Sequence, residues 1–241
     1  MIQFQDVSKR YKRKNVLNSF SLTVKEGSSV GVIGPNGAGK STFLKLVASL
    51  ERPSKGTVSF LGETYEKAIR RVRAEIGYVP QEIALYEELT VKEQVSFWKK
   101  LEPAEVDEAF LYEMIQTLRL DEVWDERIDR LSGGWKRKVN ICVGMLKNPS
   151  ICLLDEPTAG VDLAAKEDII GWLRKLHQEG RTLLYISHDW YELRQLSDEY
   201  MVFASGKPVF QGSERRLLEE KASLMNSYKE DHELTRILQY V

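Results

Sequence analysis

Apolar positions change their spacing along the chain, and each change marks an element. Ile2-Gln3-Phe4 alternates, and so do Phe20, Leu22 and Val24, which predicts short strands and turns over residues 1–30. Val30-Gly31-Val32-Ile33 is continuously apolar, the pattern of a buried strand. It runs into Gly34–Thr42, after which Phe43, Leu44, Leu46, Val47 and Leu50 recur at helical spacing. Pro53–Gly56 predicts a turn, Thr57–Leu61 a strand, Gly62-Glu63 a second turn, and Ile76–Gln81 a short strand. From Glu82 to Arg130 the strand pattern is lost. Thr90-Val91-Lys92-Glu93 is a capping box. Val91, Val95 and Trp98 continue one helical stripe, and Phe110, Met114, Ile115 and Leu118 form another; stripes of this kind fill cores.

Leu131–Trp135 breaks the helical pattern, and a helix opens behind it with Val139, Cys142, Val143 and Leu146 on one face, ended by Asn148-Pro149. Ile151-Cys152-Leu153-Leu154 is a fully buried strand that stops at Asp155-Glu156. The turn Pro157–Asp162 leads to a helix carrying Ile169, Ile170, Leu173 and Leu176. Thr182–Ser187 is another buried strand, ending at His188-Asp189, and residues 201–210 make a final hairpin around Gly206. In the charged tail from Ser213, Leu234, Ile237, Leu238 and Val241 share one helix face, suited either to the chain's own surface or to a partner or second copy. The expected architecture is α/β: one domain over residues 1–241, with a mainly parallel core and an N-terminal antiparallel β subdomain in 1–81 and 150–212, an inserted helical subdomain in 82–149, and a helical tail in 213–241.

Composition narrows the function without naming it. A chain of 241 residues with 42% hydrophobic content builds a sizeable core, and a net charge of −1 argues against nucleic acid as a partner. No apolar stretch is long enough to span a membrane, and the first residues carry no secretory pattern, so a cytoplasmic location is expected. Cys142 and Cys152 fall inside apolar segments and read as reduced core residues.

Candidate chemistry starts at Gly34-Pro35-Asn36-Gly37-Ala38-Gly39-Lys40-Ser41, which fits G-x-x-x-x-G-K-[ST] at every fixed position and lies between a strand and a helix, as that pattern requires. Glycines let successive backbone N–H groups wrap a polyphosphate, and the helix N-terminus adds its dipole. Lys40 is placed to reach the β- and γ-phosphates and Ser41 to hold Mg²⁺. Asp155 and Glu156 at a buried strand tip are costly without a cation, and bound Mg²⁺ would offset them. In that reading Asp155 is a metal ligand and Glu156 polarises the attacking water. Gln81 reads as an ordinary loop amide or as a ligand for Mg²⁺ or water, and His188 as a structural histidine or as a neighbour of the γ-phosphate. Tyr11 lies in the basic run Ser8–Asn15, which reads as a solvated hairpin tip; its ring can also stack on an adenine.

The order of these pieces resembles the ATP-binding-cassette ATPases, specifically the nucleotide-binding subunit of a transporter. The resemblance covers residues 2–212: the aromatic Tyr11, the Walker A loop Gly34–Thr42, the Q-loop Gln81, the signature Leu131-Ser132-Gly133-Gly134, the Walker B strand to Asp155, the catalytic carboxylate Glu156, the D-loop Ala159–Asp162 and the switch histidine His188. It implies that the mainly parallel core is a P-loop NTPase core, with ATP and Mg²⁺ as ligands and ATP hydrolysis as the activity. It implies a head-to-tail pair of subunits, identical or paralogous, in which Ser132, Gly133 and Gly134 of one meet the nucleotide on the other. It also implies a separate transmembrane permease that keeps the subunit on the inner face of the cell membrane, moved through residues 81–89. The D-loop Ala-Gly-Val-Asp and the segment Leu85–Val91 resemble small exporter ATPases, which favours export over import. The alternative is a soluble cassette protein acting on ribosomes or DNA. Two departures stand out. Trp135 takes a position usually held by glutamine, which implies altered dimer packing, and Lys136-Arg137-Lys138 is unusually basic, which implies extra positive charge near the nucleotide.

Overall fold

In the computed structural model, which describes residues 1–240, the chain opens with two long antiparallel strands, β1 (Ile2–Tyr11) and β2 (Lys14–Val24). They run further than the short strands expected from alternation alone. The polar segment up to Tyr11 stays in the ladder, leaving Lys12-Arg13 as the tip, with Lys12 in the left-handed region at φ 51°. Next come β3 (Ser29–Ile33), α1 (Lys40–Val47), β4 (Lys55–Phe60), β5 (Glu63–Thr64), α2 (Tyr65–Glu75) and β6 (Ile76–Val79). Helix α2 has no counterpart in the sequence reading. Only Ala68 and Val72 are buried among charged neighbours, so its apolar stripe is too thin to register as a period.

The helical stretch contains α3 (Val91–Leu101), α4 (Glu108–Thr117), two short 3₁₀ turns and α5 (Gly133–Gly144). The capping box at the start of α3 is formed: Thr90 Oγ1 accepts from Glu93 N at 3.2 Å, and Thr90 N donates to Glu93 Oε2 at 2.9 Å. Then follow β7 (Ile151–Asp155), α6 (Leu163–Gln178), β8 (Thr182–Ile186), α7 (Trp190–Leu196), β9 (Glu199–Ala204), β10 (Lys207–Gly212), α8 (Glu214–Ser227) and α9 (His232–Gln239). Leu234 and Leu238 of α9 are fully buried on the chain's own surface, and Ile237 packs beside them; Val241 lies outside the described residues.

Two sheets result. One is antiparallel, in the order β2-β1-β4-β5; the other runs β10-β9-β3-β8-β7-β6, parallel throughout except for the edge strand β10. β3, β7 and β8 are buried at every position, as strands covered on both faces must be. Parallel pairing puts the C-terminal ends of β3, β8, β7 and β6 on one edge. Every segment that follows them, at residues 34, 187, 156 and 80, therefore leaves from that edge. Phe43 on α1 ties the two sheets together: its ring centroid lies 5.3 Å from Phe4 of β1 and 5.2 Å from Phe203 of β9. Cys142 and Cys152 are buried in the core as free thiols, and burial pushes each thiol up to about 12.

Candidate functional site

The loop between β3 and α1 has a shape only glycine permits at two points. Gly34 has φ 145°, and a Cβ there would lie 2.3 Å from the Phe203 carbonyl oxygen. Gly39, at φ 101°, caps α1, and a Cβ there would meet the Leu17 side chain at 2.5 Å. Because no side chain caps α1, its first N–H groups remain open to an anion. Lys40 is buried. Its Nζ donates to the carbonyls of Gly34 at 2.6 Å and Pro35 at 2.9 Å. Burial pulls the Lys40 ammonium below its usual range, and Glu156, Glu233 and Asp155 oppose that shift. Asn36 and Gly37 are exposed at the loop's crest, whereas Ala38 is buried.

Three groups from three parallel strand ends meet next to this loop. Gln81 follows β6, and its Nε2 donates to Glu156 Oε2 at 3.1 Å. His188 follows β8, and its Nε2 lies 3.4 Å from Glu156 Oε1. Glu156 itself sits just past β7 at φ 51°, a left-handed conformation that costs energy for a side chain of this size. Its backbone N–H donates to the Ile186 carbonyl at 3.1 Å, which holds the two strand ends together. Glu156 and His188 line a cleft of about 820 Å³, closed on one side by Glu233, Arg236, Ile237 and Tyr240 of the C-terminal region.

Asp155 is 3% exposed, one residue earlier. Burial raises its carboxyl above the ordinary range, a hydrogen bond from the Ser41 side chain opposes this, and Glu156 adds to it. Its Oδ1 has no hydrogen-bond partner among the described residues. A buried carboxylate oxygen lacking a partner, beside a hydroxyl, is a donor set suited to a small hard cation that keeps further ligands from water and phosphate. Tyr11 sits at the rim of the same loop, near Thr42, and burial and Glu51 raise the pKa of its hydroxyl. Lys9 lies over the Tyr11 ring at 4.9 Å while its Nζ pairs with Glu51 at 2.6 Å.

The structure does not bring Ser132, Gly133 and Gly134 to this cluster. Ser132 is the exposed N-cap of α5, with no side-chain cap, and it lines a hollow of its own with Trp135, Lys138, Asp162 and Asp168. The neighbouring basic residues are each engaged within the chain. Lys136 reaches Glu87 at 3.4 Å. Lys138 is buried 2.5 Å from Asp168 and 4.2 Å from the Trp135 ring. Arg137 turns inward, donating to the Gln81 carbonyl at 2.7 Å. Lys136 and Lys138 are therefore paired with carboxylates at the start of α5, whereas Arg137, which donates to a neutral carbonyl, keeps its charge.

Two contacts had no usable signal in the sequence. Glu233 Oε1 accepts from Asn36 N at 2.9 Å, a pairing between positions far apart in the chain. Arg137 fixes the backbone of the Gln81 loop, yet stands in the sequence only as one member of a basic run.

Comparisons with known proteins agree with this geometry. A family model described as ABC transporter matches residues 17–159, more than half of the chain. The linearmycin resistance ATP-binding protein LnrL of Bacillus subtilis (strain 168) is 33% identical over 219 residues, covering 90% of this chain and 70% of that protein. The Nod factor export ATP-binding protein I of Burkholderia orbicola (strain AU 1054) is 34% identical, covering 91% and 73%. A probable sulfate/thiosulfate import ATP-binding protein of Chlorella vulgaris is 32% identical, covering 90% and 92%. Among solved structures, a dimeric ATP-binding cassette in a post-hydrolysis state bound to ADP and Pi superposes with a TM-score of 0.76 at 26% identity, covering 88% of this chain and 98% of that one. A chain with a phosphate loop, a strand-tip carboxylate pair and these relatives belongs to the ABC transporter family, as an ATP-binding and ATP-hydrolysing subunit.

Proposed function

We propose that Glu156 is the general base of ATP hydrolysis in this chain, with Gln81 and His188 holding the attacking water and the γ-phosphate in line. The observation that supports this is the meeting of all three side chains at one strand edge beside the phosphate loop, with 3.1 Å and 3.4 Å separating Gln81 and His188 from the two oxygens of Glu156. Glu156 takes a proton from water as the water oxygen bonds to the γ-phosphorus. The bond from that phosphorus to the β,γ-bridging oxygen breaks, and ADP leaves. Lys40 exchanges its bonds to the Gly34 and Pro35 carbonyls for the β- and γ-phosphate oxygens. The backbone of Gly34, Pro35, Asn36, Gly37, Ala38 and Gly39, with Ser41 and Thr42, cradles the phosphates, and Tyr11 stacks on the adenine. Ser41 and Asp155, with Gln81, hold Mg²⁺, which supplies positive charge against the phosphates when bound. His188→Ala and Gln81→Ala test the arrangement: each keeps MgATP binding and loses about 10²-fold or more in phosphate release. Full turnover in both variants overturns it.

We further propose that Ser132, Gly133 and Gly134 serve the nucleotide on a second cassette, identical or paralogous. The exposure of Ser132 and Gly133, apart from the chain's own phosphate loop, supports this reading; Gly134 is buried behind them at the start of α5. On the same reading residues 82–149 act as a helical subdomain against the 1–81 and 150–212 core, and the exposed surface of residues 81–89 takes the permease. That permease holds the chain at the membrane; none of its own described helices is long and apolar enough to cross one. Export is the favoured direction, by likeness to the Nod factor export subunit and by the D-loop sequence Ala159–Asp162. Co-purification from gently solubilised membranes tests this: a stoichiometric polytopic membrane protein supports it, and ribosomal or DNA-repair partners in its place overturn it.

A further inference from the structure

Helix α7 carries a fully buried carboxylate that the hydrolysis scheme does not use. Glu192 is 0% exposed. Its Oε2 accepts two hydrogen bonds, from Thr158 Oγ1 at 2.6 Å and from Ser187 Oγ at 2.9 Å. Thr158 lies two residues after Glu156, and Ser187 immediately precedes His188. We propose that Glu192 is a positioning residue for hydrolysis, tying the segment that carries Glu156 to the segment that carries His188. This rests on the roles proposed above for those two residues.

Several contacts make the tie rigid. Ser187 Oγ donates to Glu192 while accepting from Asp189 N at 3.1 Å, so one hydroxyl is fixed from both sides. Asp189 caps α7 by accepting from Tyr191 N and Glu192 N, and Lys166 of α6 pairs with the same carboxylate. The His188 loop is thereby held at its start, its middle and the helix that follows. As a mere space-filler, Glu192 would be a poor choice. Burial raises its carboxyl above the usual range against the two hydroxyl hydrogen bonds and nearby Lys166, and its Oε1 has no partner among the described residues. A glutamine or an apolar side chain fills that space at lower cost. The carboxylate oxygen accepts from both loops at once, which an apolar side chain cannot do and a neutral amide does more weakly. The 3.4 Å separation of Glu156 and His188 spans those loops, and loss of the tie lets it drift.

The test is steady-state MgATP turnover by the purified full-length chain. Glu192→Ala lowers kcat about 10²-fold with KM for ATP within about twofold, and Glu192→Gln, which keeps the shape and part of the hydrogen bonding, retains more of the rate. In a His188→Ala background the same Glu192→Ala change costs less than about threefold, because the group it positions is already gone. Ser187→Ala, which keeps the carboxylate and removes one tie, lowers kcat about tenfold and serves if Glu192→Ala does not fold. An unchanged kcat, a rise in KM alone, or an equal loss in the parent and His188→Ala backgrounds overturns the proposal. If His188→Ala and Glu156→Gln themselves turn over at the parental rate, the catalytic reading fails first, and the two failures are told apart.

Discussion

The carboxylate of Glu233 accepts a hydrogen bond at 2.9 Å from the backbone N–H of Asn36, so helix α9 lays a negative group on the crest of the phosphate loop. The buried Leu234 and Leu238 anchor that helix, and Glu233 contributes to the field at Lys40. A nucleotide phosphate and this carboxylate compete for the same amide. Glu233→Ala therefore tightens MgATP binding about three- to tenfold in a calorimetric titration. Equal or weaker binding means that the contact does not compete.

Asp155 carries a second cost in the nucleotide-free chain. Burial holds its pKa above the unfolded value, so its contribution favours folding while it is protonated and is lost as pH rises through the folded pKa. At neutral pH Asp155→Asn removes that penalty and raises the melting temperature of the free chain by about 2–4 °C. The same variant loses the further rise that MgATP gives the parent. A lower melting temperature in the free variant contradicts the assignment of burial as the dominant cause.

Lys138 and Asp168 behave as a buried pair with unequal exposure, 4% and 23% for their side chains. Asp168→Ala strands the ammonium under Trp135 and costs about 3 kcal/mol in urea unfolding. Lys138→Met, which replaces the cation with an apolar chain of similar length, costs about 1 kcal/mol or less. Equal losses for the two variants show that the pairing is not what holds α5 against α6.

The phosphate loop separates two glycine effects. Gly34→Ala forces a Cβ into the Phe203 carbonyl at 2.3 Å and costs about 3 kcal/mol or more. Gly37, at φ 75°, faces open space, so Gly37→Ala costs about 1 kcal/mol from backbone strain alone. Chemical denaturation of both variants checks the difference.

Much of the site is legible in the sequence, because its chemistry sits at ends of buried strands. Continuous apolar runs before Gly34, Asp155 and His188 mark β3, β7 and β8, and parallel pairing brings their tips together without further information. Elsewhere local pattern was insufficient. Helix α2 buries too little to show a period, and β1 keeps pairing through polar residues because its partners, not its own hydropathy, hold it. Lys136-Arg137-Lys138 shows in the sequence only as positive charge, yet Arg137 and Lys138 point inward because Gln81 and Asp168 lie opposite them. Glu233 on Asn36 depends on how the tail folds back, which no local spacing encodes.

Phosphate release under single-turnover conditions, measured side by side for the parent and Glu156→Gln with saturating MgATP, tests the hydrolytic assignment most directly. The expected result is that Glu156→Gln binds ATP as tightly as the parent and releases phosphate about 10²–10⁴-fold more slowly. Release at the parental rate by a variant that still binds ATP would contradict Glu156 as the base.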